Sequence, residues 1–286
     1  MRLIFELTQK CNMRCKYCHA DKTSTNSLSI ETVKSTCREV ASQSNIAYIT
    51  LTGGESFVYS NIEEAIEISR KYTDHILLLT NGVLLDENKY INILKKHNVE
   101  VQVSLDSISS HYHDEVRGNQ ERIVNNILNL RKSTDLEIGI VCVISSKNIL
   151  EIPELISFCD KHSLGLDFEL IDIDLSSELS LEHLSQSEIS HMLKMLLPWG
   201  NKEENRIKYK LFQIVFKKKD FRPSKCLGCR NTILVLSDGT ICTCFHNKNM
   251  QYGNVSDPNS ISNTIKGMKE ILEADCFSYR CIGDFF

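Results

Sequence analysis

Three cysteines lie close together near the beginning of the chain. Cys11, Cys15 and Cys18 stand at C-x3-C-x2-C spacing, directly after a short β-rich run. Thiolates on one such loop can converge on an iron–sulfur cluster, and three ligands for four irons leave one iron open to a substrate or cofactor. Zinc is the alternative, because His19 could supply the fourth ligand that a structural zinc site requires. The loop therefore predicts a metal centre, with both metals open.

A second group of cysteines lies towards the end of the chain. The N-terminus has no apolar core of signal-peptide length, and no run approaches the ~18 apolar residues needed to span a bilayer. We therefore expect a cytoplasmic protein with no membrane partner. In a reducing compartment, clustered cysteines bind metal or do chemistry more often than they form disulfides. This second group contains Cys226, Cys229, Cys242, Cys244, Cys276 and Cys281.

Composition and charge exclude one class of partner. The hydrophobic fraction of 42% is ordinary for a globular protein with a sizeable core. The net charge of −4 supplies no basic field that could hold a nucleic-acid backbone. DNA and RNA are therefore not expected as partners.

Short runs of Val, Ile and Leu alternate with helical patterns in the first part of the chain. Six such βα units favour a parallel sheet with right-handed crossovers and are too few to close an eight-stranded barrel. The predicted fold is α/β, a partial (β/α)6 TIM-like barrel, whose ligands bind at the carboxyl ends of the strands. The predicted strands are residues 2–7, 46–51, 75–79, 100–105, 137–144 and 166–171.

Some of the connecting helices have clear signals. Ser29 is the expected N-cap of the first, with Leu28 and Val33 as its hydrophobic staple. Cys37 on this helix, and Cys159 on a later one, fall on apolar faces and are read as small apolar residues that face the sheet.

The pattern changes in the last third of the chain. A helix is predicted over residues 188–197 and another over 260–274, and a hairpin over 232–236 and 240–244 turns at Ser237-Asp238-Gly239. We predict two domains. Residues 1–200 form the partial barrel, and residues 201–286 form a linker and a small metal-binding module.

The first cysteine loop resembles the signature of the radical S-adenosylmethionine (SAM) superfamily, C-x3-C-x-aromatic-C, with Tyr17 in the aromatic position. The resemblance implies a [4Fe-4S] cluster on the three cysteines, and an open iron that binds SAM and cleaves it reductively to a 5′-deoxyadenosyl radical. It also implies that Tyr17 lies against the adenine. A low-potential donor such as flavodoxin or ferredoxin would supply the electron.

Residues after the second strand resemble the Gly-Gly-Glu motif of the same family. The resemblance implies that Gly53, Gly54 and Glu55 hold the methionyl amine; glycines let the backbone approach a ligand, and a carboxylate suits an ammonium. The family's next residue is usually Pro, where this chain has Ser56. Residues 80–82 (Thr-Asn-Gly) after the third strand are read as a turn at least as readily as a ligand contact.

The end of the fourth strand and residues 113–118 resemble the SLDG and HD-x-x-RG block of the peptide-modifying branch, with Ser107 in place of the usual Gly. The resemblance implies that Ser104 and Asp106 lie at the polar groups of SAM. It also implies that Arg117 pairs with the methionyl carboxylate, for which its fork of donors is suited. His111 and His113 are read as loop histidines and not as ligands.

Near the C-terminus, Gly239 and Cys244 resemble the G-x4-C hairpin of SPASM and twitch domains. Too few cysteines remain for a full SPASM domain, so the resemblance implies a shortened, twitch-like module with one auxiliary [4Fe-4S] cluster. Zinc on the same ligands is the alternative. Peptide epimerases of this superfamily use a cysteine to deliver a hydrogen atom, and Cys229, then Cys242, are the candidates for that donor. The predicted auxiliary ligands are Cys226, Cys244, Cys276 and Cys281.

These resemblances predict an enzyme that abstracts hydrogen from a ribosomally made peptide. Epimerisation of a residue is favoured slightly over a thioether or carbon–carbon crosslink, and the sequence does not decide between them. A dehydrogenase or cyclase that acts on a small molecule is a second reading. A non-catalytic zinc-binding module is a third.

Overall fold

A computed structural model describes residues 1–217, 231–244 and 251–270. Its strands are β1 Arg2–Glu6, β2 Tyr48–Thr52, β3 Ile76–Thr80, β4 Glu100–Ser104, β5 Ile138–Ile144, β6 Gly165–Leu170, β7 Thr232–Val235, β8 Thr240–Cys242 and β9 Gln251–Asn254. They form one sheet in the order β6-β5-β4-β3-β2-β1-β7-β8-β9, in which β1 to β6 pair in parallel. The predicted α/β partial barrel is therefore confirmed.

Helices connect the strands and pack on one face of the sheet, where the main core joins Leu3 and Phe5 of β1 to Val33 and Val40 of the first helix. Since neighbouring βα units bury this face, we call it the outer face of the barrel. The helices are α1 Ile30–Ala41, α2 Ile62–Arg70, α3 Asn88–Lys96, α4 Ser110–Val116, α5 Gln120–Ser133, α6 Ile152–Lys161, α7 Gln186–Met195, α8 Leu197–Gly200, α9 Arg206–Lys217 and α10 Ser260–Glu270.

Local signals set the ends of these helices. Ser29 caps α1 by accepting a hydrogen bond from the Thr32 N–H at 3.0 Å, and the two residues of the staple are buried. The helix predicted over residues 188–197 is instead divided into α7 and α8. Pro198 accounts for the division, because proline has no N–H to donate and fits the first turn of a new helix.

The two faces of the strands differ in burial. On β5, Ile140 and Cys142 are buried on the outer face, whereas Val141 and Val143 are only half-buried on the opposite, inner face. Runs dense in Val, Ile and Leu are typical of parallel strands covered on both faces. The alternation arises because the inner face lines an open barrel, and none of the described helices forms a second layer on it.

The apolar reading of two isolated cysteines agrees with their surroundings. Cys37 and Cys159 are fully buried in the main core. Burial raises the pKa of each thiol to about 12, so both stay protonated and behave as small apolar side chains.

The C-terminal strands extend the same sheet. β7 pairs in parallel with β1, from Arg2 opposite Thr232 to Phe5 opposite Val235. β7 and β8 form the predicted antiparallel hairpin, and β9 pairs with β8. The predicted boundary between two domains at residue 200 stays a prediction.

At the opposite end of the sheet, the segment from α7 to α9 covers the edge of β6. The indole N–H of Trp199 donates to the Leu166 carbonyl at 2.7 Å, and its ring packs between Phe168 and Phe212. This contact satisfies an edge carbonyl that would otherwise be open to another strand. Within the described residues, the helices are all too short or too polar to cross a bilayer.

Candidate cofactor site

A cavity of about 360 Å³ opens at the carboxyl ends of the parallel strands, as predicted for this fold. The three cysteines of the first loop line it, together with Tyr17, Gly53, Gly54 and Arg117. The inner-face residues that end the strands complete its wall. They are Thr52, Leu79, Ser104, Val143 and Glu169.

The three thiols share this cavity: Cys11 and Cys15 are half-buried, and Cys18 is exposed. His19 is directed towards Asp172, 4.0 Å away.

Burial shapes the chemistry of these thiols. It raises the pKa of Cys11 and of Cys15, although the N–H of Met13, which donates to the Cys11 sulfur at 3.4 Å, and the charge of Arg117 beside Cys15 act in the opposite direction. Thiols protected in this way become thiolate when a metal binds them. The donor set thus suits a soft metal centre.

The two glycines of the Gly-Gly-Glu motif approach the chain's own backbone. The Gly54 N–H donates to the Thr8 carbonyl at 2.6 Å. A Cβ on Gly53 would lie 2.3 Å from the Thr8 oxygen, and one on Gly54 would lie 2.4 Å from the Lys10 oxygen. Sequence reasoning assigned the close approach to a ligand. The structure shows that these glycines also hold the segment that leads directly into Cys11.

Glu55 is buried below the cavity and is not among its lining residues. Its carboxylate accepts hydrogen bonds from the Thr80 hydroxyl at 2.7 Å, the Asn81 N–H at 2.7 Å and the Phe57 N–H at 3.1 Å. Burial raises the pKa of this carboxyl, and the three donors act against that rise. Glu55 therefore joins the loops after β2 and β3, while its predicted contact with an ammonium stays a prediction.

Asn81 has a larger part in the site than a simple turn would give it. Its amide nitrogen donates to Asn12 Oδ1 at 2.7 Å and lies 3.8 Å from the Cys11 sulfur. Its oxygen accepts the Val83 N–H at 3.0 Å. The Thr-Asn-Gly sequence after β3 was the signal, and its polar side chain supports the cysteine loop.

Asp106 is buried at the wall of the cavity, and the half-buried side chains of Arg117 and Tyr17 contact it there. Arg117 donates through Nε to Asp106 Oδ2 at 2.7 Å, and the Tyr17 hydroxyl donates to the same oxygen. The Arg117 guanidinium also lies over the Tyr17 ring, 5.1 Å from its centroid. The second oxygen of Asp106 accepts the Val143 N–H at 2.9 Å. The cysteine loop and the ends of β4 and β5 thus meet at one carboxylate.

The charge of Arg117 is firmly held. Burial alone would lower its pKa, but Asp106 and Tyr17 beside it raise the pKa well above the usual range. Within the described part of the chain, its terminal Nη atoms make no hydrogen bond to protein. A permanently charged guanidinium that lines a cavity and keeps two donors available can bind a carboxylate bidentately.

His111 and His113 are not loop residues as predicted, because both lie within α4, and His113 is fully buried. Its Nδ1 accepts the Asp106 N–H at 3.2 Å, and its carbonyl accepts the Arg117 N–H at 2.7 Å. Burial lowers the pKa of His113 to about 4. The spacing of His113 and Arg117, four residues apart, was the signal that could have placed them on one side of a helix.

Sequence reasoning missed a charged group on the wall formed by β6. The Lys208 ammonium, from α9, donates to both oxygens of Asp167 at 2.8 Å and to Glu169 at 2.7 Å. Its side chain is only 15% exposed, and Glu169 lines the cavity. Lys208 therefore fixes part of the cavity wall.

Two of the six C-terminal cysteines lie among the described residues. Cys242 is fully buried with Ile4, Leu234 and Leu236 in a small apolar cluster, and Cys244 is half-buried just beyond β8. Neither is among the residues that line the cavity. Cys226, Cys229, Cys276 and Cys281 lie outside the described residues.

An open parallel barrel with three thiols and a charged arginine at its mouth defines a class of α/β proteins that hold a metal centre beside an anion site. The family model "Radical SAM superfamily" matches residues 5–159, more than half of the chain. The chain therefore belongs to the radical SAM superfamily, whose members use a [4Fe-4S] cluster and SAM.

Relatives and solved structures agree with this assignment. The antilisterial bacteriocin subtilosin biosynthesis protein AlbA of Bacillus subtilis is 29% identical over 157 residues, which cover 53% of this chain and 35% of AlbA. A probable GTP 3′,8-cyclase of Methanocaldococcus jannaschii is 28% identical over 201 residues, 67% of this chain and 65% of the cyclase. The chain thus spans about a third of the first relative and two thirds of the second.

Two solved structures have the same fold. The structure of anSMEcpe with bound AdoMet superposes with a TM-score of 0.74 at 19% identity and covers 97% of this chain and 83% of its own. Streptococcus suis SuiB bound to S-adenosylmethionine gives a TM-score of 0.71 at 13% identity, with 91% and 64% covered.

Proposed function

We propose that this chain is a radical SAM enzyme that modifies a ribosomally made peptide. The relatives named for peptide maturation support the substrate class: AlbA, the sporulation killing factor maturation protein SkfB of Bacillus subtilis, and the mycofactocin maturase MftC of Mycolicibacterium smegmatis. The observation that carries the proposal is one cavity that combines three thiols with the charged, partly uncommitted guanidinium of Arg117.

In this proposal each part of the cavity has a task. Cys11, Cys15 and Cys18 hold the cluster, and Arg117 binds the carboxylate of SAM. Tyr17, which is half-buried at the cavity wall, packs against the adenine. When both are bound, the cluster supplies an electron and SAM supplies the agent that abstracts hydrogen. The protein orients these groups and excludes water from them.

The first experiment tests the metal centre and SAM cleavage. Anaerobically reconstituted protein, reduced with dithionite or with a flavodoxin or ferredoxin, should contain iron and sulfide and release 5′-deoxyadenosine from SAM. Cys15→Ala should lose the cluster and this product. Cys37→Ala is the matched control. Because Cys37 lies in the apolar core, this variant should retain the cluster and still form 5′-deoxyadenosine. Protein that binds only zinc, or leaves SAM intact, would contradict the proposal.

The second experiment tests the substrate. A precursor peptide encoded beside the gene is incubated with the enzyme, SAM and reductant in heavy water. Epimerisation would exchange one hydrogen for deuterium without other change in mass, whereas a crosslink would remove two hydrogens. A peptide that is unchanged, while 5′-deoxyadenosine still forms, would argue against that peptide as substrate.

For epimerisation we propose a cysteine as the hydrogen donor, with Cys229 ahead of Cys242. The buried position of Cys242 among apolar side chains is a reason for this order. Cys229→Ala and Cys242→Ala are compared for deuterium incorporation. If both variants give the wild-type product, no donor role remains for either thiol.

We also propose one auxiliary [4Fe-4S] cluster on Cys226, Cys244, Cys276 and Cys281. The test is the iron content of a Cys11→Ala, Cys15→Ala, Cys18→Ala triple variant, which lacks the first cluster. About four irons per chain should remain, as one four-iron cluster requires. Iron near zero would contradict the proposal of an auxiliary cluster, and it would not affect the proposal of the first cluster.

A second candidate is a cyclase that acts on a small molecule. It is favoured by the extent of one alignment, since a probable GTP 3′,8-cyclase of Thermoplasma volcanium is 26% identical over 92% of this chain and 86% of that protein. GTP offered to the reconstituted enzyme separates the candidates. Consumption of GTP that depends on SAM would favour the cyclase, and no consumption would favour the peptide enzyme.

A further inference from the structure

His113 contacts both members of the Asp106–Arg117 ion pair from one position in α4. Its imidazole accepts the Asp106 N–H at 3.2 Å, and its carbonyl accepts the N–H groups of Arg117 at 2.7 Å and Gly118 at 3.1 Å. His113 therefore contacts the main chain of Asp106 and the main chain of Arg117. The position of the guanidinium depends on both.

The contact with Asp106 determines where His113 carries its proton. Because Nδ1 accepts an N–H, that nitrogen is unprotonated and the ring hydrogen lies on Nε2. Burial keeps the ring neutral, with its pKa lowered to about 4. Asp106, Arg117 and Asp114 are the charged groups near it, and burial outweighs them. The imidazole is thus a neutral acceptor at the working pH.

The other ring nitrogen, Nε2, is buried and has no hydrogen bond of good geometry to any residue that the structure describes. The Gly118 backbone lies close enough to the ring to raise the pKa of His113, an effect that burial outweighs. The acceptor at Nδ1 is therefore the contact through which the imidazole orients Asp106.

We propose that His113 is a positioning residue of the SAM site, which aims the two terminal nitrogens of Arg117 into the cavity by holding Asp106. The inference rests on the proposed function in one respect, that the anion bound by Arg117 is the carboxylate of SAM. The Asn148 amide also donates to the Asp106 carbonyl at 3.0 Å, so loss of the acceptor at Nδ1 loosens the Asp106 main chain on its N–H side and lets the guanidinium turn away from the cavity.

Two substitutions separate the acceptor from the packing. In His113→Asn the amide oxygen can occupy the place of Nδ1 and still accept from Asp106. In His113→Phe the ring fills the space but accepts nothing. Binding is measured by calorimetry on reconstituted protein with S-adenosylhomocysteine, which has the carboxylate, and with 5′-methylthioadenosine, which lacks it.

The expected result is specific to the carboxylate. His113→Phe should lower the affinity for S-adenosylhomocysteine about tenfold, as expected when a well-aimed charge-assisted contact is lost. It should leave the affinity for 5′-methylthioadenosine unchanged. His113→Asn should have the wild-type affinity for S-adenosylhomocysteine. Equal weakening of both ligands, or of neither, would overturn the inference.

An Arg117→Ala background distinguishes failure of this inference from failure of the proposed function. If Arg117→Ala alone does not weaken S-adenosylhomocysteine, the assignment of the anion site is wrong. If it does, and His113→Phe adds a further loss in that background, His113 acts independently of Arg117 and only this inference fails.

A measurement on the unaltered protein guards against a variant that does not fold. Nitrogen-15 NMR of the histidine rings should find His113 as the neutral Nε2–H tautomer. A His113 protonated on Nδ1 could not accept from Asp106, and that result would overturn the inference on its own.

Discussion

Arg117 donates through Nε to Asp106 at 2.7 Å, and the side chains are only 10% and 0% exposed. Both side chains are therefore withdrawn from water, and they contact each other and the few groups around them. The Tyr17 hydroxyl shares the same carboxylate oxygen, so the cysteine loop is attached to this pair as well. The charge of Arg117, the position of the cysteine loop and this part of the cavity wall therefore all depend on the Asp106 carboxylate.

Asp106→Asn should destabilise the protein strongly. Removal of one partner from a buried ion pair leaves an uncompensated charge and costs about 3–5 kcal/mol. Urea unfolding of the reconstituted protein measures the loss, and affinity for S-adenosylhomocysteine should fall with it. Asp86→Asn is the matched control, because Asp86 pairs with Arg122 at 2.8 Å with both side chains 40% exposed or more.

The control variant should lose less than about 1 kcal/mol, as exposed pairs do. Similar losses for both variants would mean that burial does not increase the contribution of the Asp106–Arg117 pair to stability. A stable Asp106→Asn variant with full affinity would remove Asp106 from the site altogether.

Gly54→Ala should displace the cysteine loop. The new Cβ would lie 2.4 Å from the Lys10 oxygen and 2.6 Å from the Gln9 oxygen, which are main-chain atoms that cannot turn aside. Overpacking of this kind costs about 1–3 kcal/mol. Iron content after reconstitution should fall together with the temperature of unfolding.

Gly139→Ala is the control for this substitution. Gly139 lies on the inner face of β5, where the nearest atom to a new Cβ is 3.9 Å away. It should keep its iron and its unfolding temperature. Full iron incorporation by Gly54→Ala would show that the loop tolerates the extra methyl group.

The parts of the fold that follow from local pattern could be predicted from the sequence. Runs of Val, Ile and Leu placed the first six strands within about two residues, and Ser29 marked the start of α1. The cysteine spacing and the polar residues after β2 and β4 indicated the site, because the ends of parallel strands meet at one edge. These signals act between residues close in sequence.

What could not be predicted depends on contacts between distant segments. Lys208 reaches Glu169 across 39 residues, and no motif marks either. Glu55 has the right chemistry for an ammonium, yet its place below the cavity depends on the loop after β3. The half-buried inner face also escaped prediction, because dense runs of Val, Ile and Leu do not show which face of a strand stays uncovered.

Lys208→Met should weaken the wall that β6 contributes to the cavity. The ammonium has two carboxylates as partners, which raise its pKa against the effect of burial. Without it Asp167 and Glu169 would repel each other. Because their side chains are 36% and 40% exposed and water screens them, the loss should be about 1–2 kcal/mol, between the values for exposed and for buried pairs.

Lys202→Met provides the comparison, because Lys202 pairs with Asp160 at a more open position, where the side chains are 36% and 50% exposed. It should lose less than about 1 kcal/mol in the same urea experiment. Equal losses would show that Lys208 is no more important to stability than a surface lysine.

Acid should destabilise the protein partly through His113. The pKa of its buried imidazole is about 4, below the ordinary value of 6.5, so between these values the unfolded chain takes up a proton that the folded chain refuses. Stability from this group is present above pH 6.5 and is lost as the pH falls towards 4. From about pH 7 to about pH 5 the free energy of unfolding should drop by roughly 2 kcal/mol from His113 alone. The measurement is urea unfolding of wild type and His113→Asn across this range, where every other group titrates in both proteins. The wild-type curve should fall more steeply than the variant curve, and parallel curves would show that the imidazole is not held neutral by burial.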